Sequence, residues 1–154
     1  MKKLLIAMGA AAAVCCANAN YEWRGTTGEW SDSAANWWDG SALVPWTDGS
    51  YADMPVAGAG VVTDLVIASG GVTASTYQQR HGSTYSLSGG PLETSTFSVE
   101  TPGTNPTQLT INNAVSASGM FFLSGLVTVA NGGTFLVNSY ALRQQTRPDL
   151  TRRR

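Results

Sequence analysis

Between residues 61 and 139 the chain is built almost entirely from short apolar, β-branched runs, each stopped by Gly, Asn or Pro. "VVTDLVIA", "TYSLSG", "TFSVE", "QLTIN", "MFFLSG", "LVTVANGG" and "TFLVNS" follow one another with little between them. Runs of this length and make-up, bounded by turn residues, are the signature of strands. No window of eleven or more residues carries a 3.6-residue apolar period, so no substantial helix is expected in the mature chain. Charged residues make up only 12% of the chain. Gly, Ser, Thr, Asn and Val take their place, a composition that suits strands and uncharged turns.

A soft repeat overlies the strands. "LVIASGGVTAS", "YSLSGGPLETS" and "LVTVANGGTFLVNS" share an alternating apolar strand, a glycine turn and a second β-rich stretch. They start at Leu65, Tyr85 and Leu126, and "LTINNAVSAS" from Leu109 fits between them. A spacing of about twenty residues is the size of one solenoid coil, which buries its apolar stripe only by stacking on the next coil. The expected fold is therefore all-β, a parallel β-solenoid of a few coils. A β-sandwich, which also gives short strands at regular intervals, is the alternative.

The ends carry their own signals. Lys2 and Lys3 precede the apolar run "LLIAMGAAAAVCCA" and then "ANA", with cleavage expected between Ala19 and Asn20. The run is too short to span a bilayer, so residues 1–19 read as a signal peptide and no membrane insertion is expected. Val14 and Cys15, which precede the two cysteines, are poor matches to the small residue that lipid attachment requires. The mature chain would be exported yet cysteine-free. From Asn20 to Leu142 two arginines face nine acids, a balance that disfavours nucleic acid. Residues 140–154 form a basic tail, read as a disordered or truncated end.

All five tryptophans lie between residues 23 and 46. Trp23, Trp30 and Trp37 are spaced by seven, but Gly25, Thr26, Thr27 and Gly28 rule out a helical seam. An odd spacing would also send successive rings to opposite faces of one strand, so the chain must turn between them. "GTTG" is one such turn. "SDSAANW" is expected to form a short helical or 3₁₀ turn with Ser31 or Asp32 as its cap. Residues 20–60 thus read as a cap region in which Trp23, Trp30 and Trp37 cover the open first coil. Trp38, Trp46 and Tyr51 lie in loop-like sequence and are the candidates for stacking against a glycan.

The opening "WRGTTGEWSDSAANWWDGS" and the step "TYSLSGG" resemble the start of bacterial autotransporter-associated β-strand repeat proteins. Trp23, Gly25, Trp30, Ser31, Asn36 and Trp37 carry the first likeness, and Tyr85, Leu87, Ser88, Gly89 and Gly90 the second. The resemblance spans residues 21 to about 139. It implies a right-handed parallel β-helix of the passenger type, at or released from the cell surface, joined to further repeats of a longer protein.

Residues for catalysis are sparse. The mature chain has no cysteine, one histidine (His81, in the polar "QQRHGS") and no G-x-S-x-G elbow. Its acids are Glu22, Glu29, Asp32, Asp39, Asp48, Asp53, Asp64, Glu93 and Glu100, scattered through turns rather than paired across a cleft. Neither a calcium loop nor zinc spacing is present. The expectation is a non-enzymatic, exported, adhesin-like β-solenoid segment without metal or cofactor. A small carbohydrate-binding module is the alternative, and a β-helical polysaccharide lyase or hydrolase is a distant third.

Overall fold

The computed structural model describes residues 19–138, apart from residues 102, 120 and 131. The expected signal peptide up to residue 18 and the basic tail lie outside the described residues. All regular structure within them is strand. The strands are β1 (Asn20–Trp23), β2 (Glu29–Trp30), β3 (Trp37–Trp38), β4 (Leu43–Val44), β5 (Tyr51–Met54), β6 (Asp64–Ile67) and β7 (Val72–Gln79). They continue as β8 (Thr84–Gly89), β9 (Leu92–Val99), β10 (Gln108–Ile111), β11 (Ala114–Ala117), β12 (Phe121–Leu123), β13 (Leu126–Val129) and β14 (Thr134–Val137).

Their pairing makes a β-solenoid of about four turns. All pairings are parallel except β1 with β3 and β3 with β4. This excludes the sandwich alternative, whose sheets are antiparallel. One sheet has the order β13-β10-β8-β6-β2. The other runs β14-β11-β9-β7-β5-β1-β3-β4, with β12 also on β9.

In the second sheet β7 and β9 pair along their lengths except at Ser75 and Ser95. Beyond those serines each strand serves different neighbours. Leu92–Thr94 pair with β11, whereas Phe97–Val99 pair with β12. On the other side, Thr76–Gln79 pair with β5. A full coil therefore contributes three strand segments around a narrow interior.

The period-2 pattern decides what enters that interior. Leu65 and Ile67 of β6 are buried, whereas Asp64 and Val66 point outward. Stacking puts like on like. Leu65 pairs with Leu87, Leu87 with Ile111 and Ile111 with Val129. Tyr77 lies on Phe97 with ring centroids 5.0 Å apart and planes inclined by 13°. Phe97 in turn meets Phe135 at 4.9 Å.

The interior also holds polar groups, several of them at corners. Gln79 is fully buried, donates from Nε2 to the carbonyls of Ser83 (3.1 Å) and Gln108 (2.7 Å), and accepts from the Tyr77 hydroxyl at 3.0 Å. Thr107 accepts from the Gly82 amide and donates to the Glu100 carbonyl. These side chains satisfy backbone groups at the corners, as burial requires; the Ser83 carbonyl accepts from the Gln108 amide as well.

Two expectations need correction. The segment from Ser31 to Trp37 has no helical turn. Ser31 nonetheless acts as a cap, its Oγ accepting from the amides of Ser33 (3.3 Å) and Ala34 (3.1 Å). These short-range bonds suffice for a reversal, and the chain then re-enters a strand at Trp37 before a helical hydrogen bond can form. Solenoid rungs also begin before residue 61. β1 pairs with β5, and β2 with β6, both in parallel. Composition hides these rungs because they are short and separated by the long excursion through β3 and β4.

Candidate functional site

Two regions collect the residues singled out in the sequence: the first end of the solenoid and the outer face of the ladder that starts there.

At the first end, Trp23, Trp30 and Trp37 are completely buried. They arrive on β1, β2 and β3, so the chain does turn between them. Trp37 lies 5.0 Å from Trp23 and 4.8 Å from Trp30 between ring centroids, both edge-on. Each such ring removes about 150–250 Å² from water. The β3–β4 hairpin pairs antiparallel on the outer edge of β1, the edge a preceding coil would otherwise occupy.

The residues of the opening motif explain themselves in this arrangement. A side chain on Gly25 would sit 2.5 Å from the Trp23 ring. Asn36 is buried and donates to Thr27 Oγ1 and to the Glu29 carbonyl, both at 2.8 Å. Trp23 Nε1 donates to the Val62 carbonyl at 2.8 Å, tying the cap to the next coil. Trp30 Nε1 and Trp37 Nε1 are buried without a partner, so these rings contribute through packing.

Trp46 does not fit its expected role. It is only 3% exposed and belongs to the same cluster, 4.6 Å from Trp37 and 5.1 Å from Trp30. The Trp46 amide donates to the Ser31 carbonyl, which draws the loop inward. Its indole N–H is shared by Asp48 Oδ1 (3.1 Å) and the Thr73 carbonyl (3.2 Å). With no ring face open, it offers no platform for a sugar. It is a fourth member of the lid, set apart from Trp38 by a backbone anchor and indole hydrogen bonds that are invisible in sequence.

Trp38 and Tyr51 do lie outside, on the outward face of the second sheet, each partly exposed. The Arg24 guanidinium sits 4.6 Å from the Trp38 ring centroid and pairs with Glu22 at 2.9 Å. The hydrogen bond from Arg24 to Glu22 raises the arginine pKa further. Tyr51 donates its hydroxyl to Gln78 Oε1. Asp53 stands between them. Burial pushes its carboxyl above the usual range, partly offset by nearby Arg80. His81 is exposed, with φ 68°, at the tip of a turn.

The remaining acids sit in turns or on the surface. Asp39 caps its own turn, accepting from the Ser41 and Ala42 amides at 2.8 Å. Those bonds, with Ala42 foremost, hold its pKa low. Asp64 accepts from Ser86 across the ladder. Among the described residues no three metal-ligating side chains gather. A shallow cleft of about 800 Å³ runs along one corner, walled by Gly28, Val66, Ala68, Gly89 and Pro91. Thr27, Glu29 and Ser69 are its polar side chains; the rest is backbone and apolar surface.

No protein-family model, curated protein or solved structure matches the chain, so the stacked coils and the two surfaces above are what its function is read from.

Proposed function

We propose that the chain is a structural, non-enzymatic segment of an exported surface or secreted protein. It forms a β-solenoid rod closed at one end and extendable at the other. The observation that carries this reading is the asymmetry of the two ends. The first coil is covered by β3–β4 and four buried tryptophans. At the far end, among the described residues, β13 and β14 each pair on one side only. Val129 and Val137, stacked on the buried Ile111 and Ala117, are exposed there.

No charged residue occurs between Thr101 and Asn138. Strand edges that must stay unpaired are normally guarded by charge, proline or a covering element. An edge lacking these devices is suited to receive another coil. The likeness of the tryptophan and "YSLSGG" motifs to autotransporter-associated β-strand repeat proteins supports the same reading, as does the signal-peptide pattern before Asn20.

Coil insertion tests the architecture. A second copy of residues 92–114, placed between Ala114 and Val115, adds one coil in register, because Val115 stacks on Leu92. Stability of stacked repeats grows with each repeat and interface. A Tm higher by roughly 5 °C or more is expected, the shift that about 1 kcal/mol gives a domain of this size. A lower Tm or loss of cooperative melting would show that the coils are not an extendable stack. In the producing bacterium the same protein should be recovered outside the cytoplasm with Asn20 at its amino terminus. Uncut chain confined to the cytoplasm would refute export.

A further inference from the structure

We infer that the outward face of the ladder through β3, β1, β5 and β7 is a binding surface for an extended, neutral oligosaccharide. This goes beyond the rod reading and does not depend on it. Register places Trp38 beside Glu22, Glu22 beside Asp53, Asp53 beside Gln78 and Gln78 beside Ser98. Four strands thus present one straight row, an aromatic ring followed by two carboxylates and an amide; Ser98, next in register, is buried and donates to Glu100. The strands lie ~4.8 Å apart, so the row is roughly 15 Å long. An extended hexose polymer advances by close to one strand spacing per unit, so successive sugars meet successive side chains.

The chemistry of the row suits hydroxyl-rich, uncharged ligands. Trp38 offers an indole to sugar C–H groups and is oriented by Arg24, itself held by Glu22. Glu22 and Asp53 can each accept from paired hydroxyls, and Gln78 can both donate and accept. Asp53 makes no side-chain hydrogen bond within the described residues although it is partly buried. Arg80 Nε, near that carboxylate, is buried and likewise lacks a partner. The Asp53 carboxylate is thus free to accept from a ligand, and a buried, unpaired donor such as Arg80 Nε is costly unless something else meets it. Carboxylates Glu22, Asp53 and Glu100 against Arg24 and Arg80 leave the face slightly acidic, which disfavours polyanions.

The test titrates the full chain with cellohexaose, mannohexaose and chitohexaose, with polygalacturonate as the charged control. Trp38 is the one partly exposed tryptophan. Saturable binding to at least one neutral hexasaccharide is expected, weaker for shorter oligomers. Bound hexasaccharide should also protect Trp38 from oxidation by N-bromosuccinimide in the unsubstituted chain. Trp38→Ala and Asp53→Asn should each weaken binding by about tenfold, the effect of losing one good contact, with the melting temperature close to that of the parent. Absence of binding to all three neutral sugars would overturn the inference. So would binding to polygalacturonate alone, or binding that leaves Trp38 unprotected and survives both substitutions. Any of these leaves the coil-insertion result standing.

Discussion

Trp30→Ala is expected to destabilise the protein by about 4 kcal/mol, in line with large-to-small changes at fully buried aromatic positions. The ring is completely buried and touches both Trp37 and Trp46. Its removal opens a hole at the one place where three strands and the lid converge, and the rigid indoles around it cannot collapse to fill the space. Chemical denaturation with the midpoint and slope measured together gives the number.

Trp30→Phe separates packing from hydrogen bonding. The Trp30 indole N–H has no partner, so phenylalanine removes a buried unsatisfied donor while losing some volume. It should cost well under half of what alanine costs. Trp23→Phe should fare worse than Trp30→Phe, because Trp23 donates to Val62. An alanine variant at Trp30 within about 1 kcal/mol of the parent would mean that the cluster is not a lid.

Gly90→Ala carries the second large effect, about 3 kcal/mol or more, since overpacking a rigid site can exceed the usual range. A Cβ on Gly90 would lie 1.9 Å from the Ala68 carbonyl oxygen and 2.9 Å from the Gly71 nitrogen. Both obstacles are backbone of the preceding coil and its turn, so neither can swing aside. The Gly90 amide also donates to the Ile67 carbonyl, and its own carbonyl accepts from Asn113 one coil further on. Pushing Gly90 outward therefore disturbs three coils together. Gly70→Ala is the matched control: nothing lies within 4 Å of its Cβ, and a change within about 0.5 kcal/mol is expected. Equal effects at the two glycines would contradict the close coil contact at this corner.

Much of this architecture is legible in the chain. Leu109 pairs with Tyr85, the register that the soft repeat suggests. Elsewhere loops of unequal length shift it. Leu65 lies against Leu87 rather than Tyr85, a slip of two residues that keeps the same face inward. Leu126 lies against Gln108, one residue out of the repeat-based alignment, and is 58% exposed while Val127 turns inward. A one-residue slip reverses every side chain, and no local pattern reveals it.

The lid was half legible. Spacing forces the chain to turn between Trp23, Trp30 and Trp37, but Trp46 is drawn in by a backbone bond to Ser31 that leaves no mark in composition. The row from Trp38 to Gln78 is the least legible feature. Its members are separated by intervals that follow no period, and only the parallel register brings them into line.

Native-state hydrogen exchange reads the difference between the two ends directly. Unguarded terminal strands open at little cost, whereas covered ones exchange only with larger openings. Amides of β13 and β14 should exchange fastest among the strands. Those of β1 and β5 should be protected nearly as well as β7 and β9, despite lying at the other terminus of the stack. Equally rapid exchange in β1 and β14 would contradict a solenoid sealed at one end and open at the other.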